Sequence, residues 1–257
     1  MGFQRLRGAF EKGVKPTFVA YVTGGFPSRS DTVPIMLAMQ EAGVGVIEIG
    51  VPFSDPMADG GTIQKANQAA LESGVTLADC LTAVRDARAQ GLTVPVVLMG
   101  YYNPFLQYGE TRLVKDAAAV GVDGFIVVDL PPEDASDFVA ACDAGGLAFV
   151  PLVAPTTSMD RFERVASHAR GFVYCVSVTG VTGARTALPA DLPALLANIK
   201  QRVALPVAVG FGVSTRAHVD AVGAMADGVV IGSAIVAALA EGGVPAMREF
   251  LATVVPR

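Results

Sequence analysis

The 257-residue sequence has no tryptophan and few of the residues that build metal sites or disulfides: two histidines and three cysteines. His168 and His218 stand far apart in polar stretches, which argues against a histidine-based metal centre, and we predict no metal site. Cys80, Cys142 and Cys175 are odd in number and widely spaced, as expected of a reduced, cytoplasmic protein.

Long apolar runs and basic clusters are also missing. The longest uncharged apolar stretch, Gly228 to Ala240, is shorter than the roughly 18–20 residues that cross a bilayer, so we predict no membrane span. The net charge of −5, with no basic run, argues against nucleic acid as a partner. The chain is 52% apolar and only 17% charged, a composition that favours a large packed core over disorder.

Eight short apolar runs alternate along the chain with amphipathic, helix-like stretches. The runs are nearly continuous, which is typical of parallel strands covered on both faces. We predict strands at 17–22, 45–50, 94–99, 123–128, 147–152, 172–177, 206–211 and 227–232. This pattern predicts an α/β fold, a single (β/α)8 TIM barrel over residues 1–257, with an open doubly wound sheet as the alternative.

Two helices beyond the eight regular ones are also expected. One is an additional N-terminal helix at about 3–12 that covers the bottom of the barrel. The other is an extra helix after strand 2, because residues 51–92 are longer than one strand–helix unit requires. Helix start signals are the segment 28–31, which resembles a capping box, and the N-cap candidates Ser158 and Ser214.

A glutamate within an apolar strand is the strongest indication of chemistry. Glu48 stands among Val46, Ile47 and Ile49, where a charge is costly to desolvate, and Asp59 follows in a loop rich in proline and glycine. Burial raises the pKa of a carboxyl group toward working pH, which suits a catalytic acid or base. The alternative is a core carboxylate paired with a lysine or arginine. Active sites of such barrels form at the carboxyl ends of the strands, where we expect both acids to lie.

Glycines follow the seventh and eighth predicted strands, as Gly212 and as the pair Gly232-Ser233. Glycine lets backbone N–H groups approach an anion, and the amino end of a helix supplies partial positive charge. Loops after strands seven and eight are a recurring phosphate site of this fold, so these turns predict phosphate binding. Simple turns are the alternative. The loop at 178–186, rich in glycine and threonine, has the flexibility of a lid, with a plain surface loop as the alternative.

Lysine is absent from the eight predicted strands: Lys15, Lys65 and Lys115 fall outside them, as do the other two lysines of the chain. A Schiff-base aldolase needs a lysine that faces the barrel interior, and a metal-dependent aldolase needs a histidine or carboxylate cluster. The mechanism that remains is acid–base catalysis by carboxylates on a substrate held by its phosphate, assisted by a tyrosine such as Tyr174.

The chain resembles the alpha-subunit family of tryptophan synthase over essentially its full length. The matching segments are 48–60 (EIGVPFSDPMADG), 98–104 (LMGYYNP), 177–183 (SVTGVTG) and the turns at Gly212 and Gly232-Ser233. The first segment is highly specific, whereas the glycine turns are shared with many phosphate-binding barrels.

This resemblance implies a carbon–carbon lyase of L-tryptophan biosynthesis that cleaves indole-3-glycerol phosphate to indole and glyceraldehyde 3-phosphate. It implies Glu48 and Asp59 as the catalytic pair, with Tyr174 beside them. Thr182 would help the sixth loop close, and Phe211 would be a further substrate contact. The other implied substrate-binding residues are those of the indole pocket, Tyr21, Met99, Tyr101 and Ile126, and those of the phosphate site, Gly183, Gly212, Gly232 and Ser233.

By the same resemblance the partner is a beta subunit, in an alpha–beta–beta–alpha heterotetramer, that receives the indole and uses pyridoxal phosphate. This chain itself is expected to hold no cofactor. The loop from Pro52 to Asp59 and the segment around Asn103 would meet the partner. The alternatives are a stand-alone lyase for the same substrate, a non-catalytic activating subunit, or another phosphate-binding barrel such as indole-glycerol-phosphate synthase or phosphoribosylanthranilate isomerase.

Overall fold

The computed structural model describes residues 2–131, 133–176, 190–210 and 212–256. Its strands are β1 (Thr17–Thr23), β2 (Val46–Gly50), β3 (Val96–Gly100), β4 (Gly124–Val127), β5 (Ala148–Phe149), β6 (Leu152–Val153), β7 (Val173–Val176), β8 (Val207–Gly210) and β9 (Gly228–Ile231). Its helices are α1 (Gly2–Lys12), α2 (Thr32–Glu41), α3 (Gly61–Glu72), α4 (Leu77–Ala89), α5 (Tyr102–Tyr108), α6 (Glu110–Val120), α7 (Ser136–Gly145), α8 (Met159–His168), α9 (Leu192–Lys200), α10 (Arg216–Gly223) and α11 (Ser233–Val254).

The segment 148–153 closes the sheet into a barrel. The strand order is β5-β4-β3-β2-β1-β9-β8-β7-β6, and the two end strands are consecutive parts of this one segment. Pro151 divides it because proline has no N–H to donate to a neighbouring strand. The ladder still continues on both sides, from Val150 N to Phe125 O at 2.9 Å and from Tyr174 N to Pro151 O at 3.0 Å. The predicted (β/α)8 TIM barrel is therefore confirmed, and the predicted fifth strand is found in two parts.

Alternate residues of the strands fill the barrel interior. An inner cluster that includes Val19, Val46, Val97 and Val230 is separate from the larger apolar cluster between the strands and the helices. Side chains two residues apart on a strand point to the same face. Glu48 therefore points into the barrel with Val46, one layer closer to the carboxyl end of β2.

The N-terminal helix α1 lies against the amino ends of the strands, as predicted. Its Leu6 and Phe10 belong to the inner cluster, and the Phe10 ring lies 5.1 Å from that of Phe172, just before β7. Asp123, just before β4, holds this end together: its carboxylate lies 2.8 Å from the Arg5 guanidinium of α1 and 2.9 Å from that of Arg88 in α4.

Helices α3 and α4 both lie between β2 and β3, which confirms the predicted extra helix. The predicted N-cap at Ser158 is confirmed, since its hydroxyl accepts from Arg161 N. The prediction at Ser214 is wrong, because the neighbouring Thr215 caps α10. The capping box predicted at 28–31 is also wrong: α2 follows Asp31 without a side-chain cap.

Within the described residues, no helix combines the length and apolarity that a membrane span needs.

Candidate active site

Glu48 is a buried carboxyl group that has no partner among the residues that the structure describes. Its side chain is 0% exposed, and neither carboxyl oxygen has a hydrogen-bond partner among the described residues. Burial alone raises the pKa of Glu48 to about 8, because the charged form is poorly solvated there. The group therefore retains its proton at neutral pH. In the part of the chain that the structure describes, no lysine or arginine pairs with it, so the alternative of a core ion pair finds no support.

Asp59 lies in the loop between β2 and α3, and its Oδ2 is held from two sides. The Tyr101 hydroxyl lies 3.4 Å from this oxygen, and Asn67 Nδ2 lies 3.5 Å from it. The same Tyr101 hydroxyl accepts a hydrogen bond from Ala58 N at 2.9 Å. Burial raises the pKa of Asp59 to about 6, and the hydrogen bonds from Tyr101 and Asn67 oppose that rise. At neutral pH Asp59 is therefore mostly ionised, in contrast to Glu48.

Two inward-pointing tyrosines interact electrostatically with both carboxyl groups. Tyr21 of β1 pairs in register with Glu48, and Tyr174 of β7 belongs to the inner cluster. Burial, together with the charges of Glu48 and Asp59, raises the pKa of Tyr21 and of Tyr174 well above the usual value. The charge of each carboxyl group thus acts on the same two phenols, which remain neutral hydrogen-bond donors.

Glycines on the neighbouring strands make room for these two tyrosines. A side chain at Gly50 would overlap the Tyr21 hydroxyl, and one at Gly210 would overlap the Tyr174 hydroxyl. In both cases the glycine lies two residues beyond the tyrosine's partner in the strand register. The space at the centre of the barrel therefore depends on glycine at these two positions.

The other predicted contacts that the structure describes lie on strands of the barrel or directly after them. Met99 and Ile126, on β3 and β4, pack with the inner cluster. Gly212 follows β8 and has a φ of 78°, a left-handed conformation that favours glycine. Gly232 is the N-cap of α11 and Ser233 is its first residue, and no side chain caps this helix. Thr182, Gly183 and Phe211 lie outside the described residues.

Asn67 is a site residue that the sequence reasoning missed. It occupies the buried face of α3, yet it is polar and contacts a predicted catalytic carboxylate. The sequence could have indicated Asn67, because it stands at helical spacing from Ile63 and Ala70. This spacing places a polar side chain on the buried face of the helix.

The fold is that of a TIM-barrel protein, and a protonated Glu48 with an ionised Asp59 is an arrangement that suits acid–base catalysis. The family model of the tryptophan synthase alpha chain matches residues 9–252. The chain therefore belongs to the tryptophan synthase alpha chain family, as its sequence predicts.

Individual relatives agree with the family match. The chain is 47% identical to the tryptophan synthase alpha chain of Roseiflexus sp. (strain RS-1) over 91% of its own length and 88% of that relative. It is 49% identical to the tryptophan synthase of Saccharomyces cerevisiae over 91% of its length, but it spans only 34% of that longer protein. A chain of the tryptophan synthase α2β2 complex of Pyrococcus furiosus superposes with a TM-score of 0.86 at 40% identity, covering 93% of this chain and 96% of that one.

Proposed function

We propose that this chain cleaves indole-3-glycerol phosphate to indole and glyceraldehyde 3-phosphate, with Glu48 and Asp59 as its catalytic residues. As a member of its family, it is a carbon–carbon lyase of tryptophan biosynthesis. The observation that carries the assignment of residues is the unpaired, fully buried carboxyl group of Glu48, which has no structural partner in the described chain.

Glu48 acts first as acid and then as base. Its carboxyl proton is transferred to indole C3, which turns the ring into an electrophilic indolenine that can accept the electrons of the breaking bond. The resulting carboxylate takes the proton of the hydroxyl on the adjacent side-chain carbon, that carbon becomes the aldehyde, and the bond to C3 breaks. The same group regains its proton, so the cycle balances. A pKa of about 8 suits a group that must first donate and then accept at neutral pH.

Asp59 stabilises the charge that this protonation creates. Protonation of C3 places positive charge on the indole ring, and its N–H becomes a stronger hydrogen-bond donor. An ionised Asp59 accepts that hydrogen bond, and in a buried site the interaction is worth more than in water. The indole ring would lie among Tyr21, Met99, Tyr101 and Ile126, with Tyr174 beside Glu48.

The phosphate would bind where the chain leaves β8 and β9, at Gly212, Gly232 and Ser233. Because no side chain caps α11 within the described structure, its first backbone N–H groups would be available to an anion. Thr182 and Gly183 of the sixth loop and Phe211 are proposed to complete the site. Binding at this distant group fixes the orientation of the reacting bond, so that its free energy lowers the chemical barrier.

A beta subunit is the proposed partner, in an alpha–beta–beta–alpha assembly, and pyridoxal phosphate would belong to that subunit. Met57 and Leu106 are large apolar side chains that are 82% and 48% exposed, and both lie beside the loop and helix predicted to meet the partner. Phe53 of this surface stacks on Tyr101 at 5.1 Å, and Tyr101 contacts Asp59. A partner that presses on this loop would therefore move the catalytic aspartate.

Two remaining proposals concern the protein as a whole. The three cysteines are free and buried, which fits a reducing, cytoplasmic location. Residues 1–257 are proposed to form one barrel domain, since α11, near the end of the chain, packs on β1 and α2 near its start.

Indole release with and without a beta subunit tests the function. We expect slow cleavage of indole-3-glycerol phosphate by the isolated chain and much faster cleavage in the complex, because the partner orders the loop that carries Asp59. Indole and glyceraldehyde 3-phosphate are measured together. Equal rates in both states would indicate a stand-alone lyase, and no product in either state would leave only a non-catalytic activating subunit.

The pH dependence of kcat/KM tests the two protonation states. Asp59 must be ionised, so activity should rise as pH increases through about 6. Glu48 must be protonated, so activity should fall as pH increases through about 8. We therefore expect a bell-shaped profile with its maximum near neutral pH. Activity that keeps increasing well above pH 8 would contradict Glu48 as the initial acid.

A further inference from the structure

A polar side chain interrupts the buried face of α3. Ile63, Ala66 and Ala70 occupy this face, and Asn67 among them is 3% exposed. A buried amide costs free energy unless its groups are hydrogen-bonded. Asn67 Nδ2 has a partner in Asp59 Oδ2 at 3.5 Å, but Asn67 Oδ1 has none among the described residues. Packing and stability alone do not account for an asparagine here.

The two donors that reach Asp59 contact the same oxygen. Asn67 Nδ2 and the Tyr101 hydroxyl both lie against Oδ2, from α3 on one side and from the start of α5 on the other. In the described chain, no donor lies against Oδ1 of Asp59. Two donors on one oxygen fix the plane of the carboxylate and leave the second oxygen available to another donor.

We propose that Asn67 is a positioning residue for the lyase reaction: with Tyr101 it holds Oδ2 of Asp59, so that Oδ1 faces the indole N–H. This inference rests on the proposed role of Asp59. The amide can donate but cannot supply a proton, so it favours the ionised carboxylate, the form that the positive indole intermediate requires. Asn67 therefore sets both the orientation and the charge of a residue that contacts the substrate.

The groups around Asp59 make its titration simple to interpret. The titratable side chains that interact with Asp59 are the tyrosines Tyr21, Tyr101 and Tyr174, and Glu48 of β2 acts on two of the same tyrosines, Tyr21 and Tyr174. Burial raises the pKa of each tyrosine, so all three stay neutral near pH 6, and Glu48 is protonated there as well. No basic side chain forms an ion pair with Asp59 within the described ranges. The acid limb of the pH profile of activity thus reports the ionisation of Asp59.

Replacement of Asn67 by leucine, in the complex with its beta subunit, tests the proposal. Asn67→Leu keeps the size of the side chain and removes both the donor and the unsatisfied acceptor. We expect the acid limb of kcat/KM to move up by about one pH unit, which lowers kcat/KM about fivefold at pH 6. The thermal midpoint should stay equal or increase, since the unpaired amide oxygen is gone. If Asn67 served only the structure, the opposite pattern would appear: the thermal midpoint would decrease and the acid limb of kcat/KM would stay at the same pH.

Two further variants keep the test decisive if the leucine variant folds poorly. Asn67→Asp keeps the shape but places a second carboxyl group beside Asp59, so the acid limb should move further than in Asn67→Leu. In an Asp59→Asn background, Asn67→Leu should change the rate by less than about twofold, because its route of action is already gone. Asn198→Leu, the same substitution on the exposed face of α9, serves as the control and should leave the profile unchanged.

The outcomes separate this proposal from the proposed function. If Asp59→Asn is inactive but the acid limb is the same in wild type, Asn67→Leu and Asn67→Asp, the role of Asn67 is wrong and the lyase assignment stands. The proposed role of Asn67 would also be wrong if the losses of activity from Asn67→Leu and Asp59→Asn were additive in the double variant. If wild type releases no indole, or Asp59→Asn is fully active, the assignment of Asp59 itself fails.

Discussion

Glu48→Gln should abolish indole release while the barrel folds normally. Glutamine fills the same space at the centre of the barrel but can neither give a proton to indole C3 nor take one from the substrate hydroxyl. Loss of a general acid–base group lowers rates by about 10²–10⁴-fold. Because Glu48 serves both proton transfers, we expect the decrease in kcat to lie in the upper part of that range and to occur at every pH. KM should change little, since the phosphate site lies elsewhere on the rim.

The same substitution should change how stability depends on pH. Burial raises the pKa of Glu48 in the folded state from 4.5 to about 8, so the folded chain retains a proton that the unfolded chain releases. Wild type therefore loses stability as pH rises from about 4.5 to about 8, by an amount on the order of a few kcal/mol, and the loss is complete above that range. Glu48→Gln lacks this loss. The difference in unfolding free energy between the two proteins should thus grow in favour of the variant across this window.

Denaturant unfolding at several pH values and indole assays on the same samples measure both effects. Glu249→Gln, on an exposed position of α11, is the matched control and should alter neither. Substantial turnover by Glu48→Gln would remove this residue from the mechanism. A stability difference that is constant with pH would mean that Glu48 titrates normally and is not desolvated.

Local patterns in the sequence predicted most of the fold because they reflect local physics. Each predicted strand is an apolar run that the barrel buries on both faces, and all eight are found. The errors arise where neighbouring candidates compete. Ser214 and Thr215 can both cap a helix, and in the structure the Thr215 side chain accepts the hydrogen bond from His218 N. A capping box does form, but at Thr76 and Asp79, before α4. Pro151 splits a strand that hydrophobicity alone predicts as continuous.

The site was only partly predictable, for a similar reason. Glu48 and Tyr174 can be proposed from the sequence because a polar group within an apolar strand is visible in one short segment. The fit of Tyr21 over Gly50 depends instead on the register of two strands, which the sequence does not state directly. The contact between Asn67 and Asp59 depends on how α3 packs against the barrel.

Asp59→Asn should reduce kcat by about 10²–10³-fold with little change in folding. Asparagine can still accept a hydrogen bond from the indole N–H, but it carries no negative charge to stabilise the protonated ring. The loss should therefore appear in the chemical step, with KM for indole-3-glycerol phosphate nearly unchanged. Because Asp59 is the group that titrates near pH 6, the acid limb of the remaining activity should disappear, while the alkaline limb from Glu48 stays near pH 8.

Single-turnover rates of indole formation, with substrate bound at saturation, separate this effect from binding. The control is Asp220→Asn, an exposed aspartate of α10 that pairs with Arg216 and has no contact with the site. A variant that binds substrate poorly but converts it at the wild-type rate would show that Asp59 only holds the substrate. Retention of the acid limb would show that another group titrates near pH 6. If the limb disappears and the slow step is chemical, the charge of Asp59 is what the reaction uses.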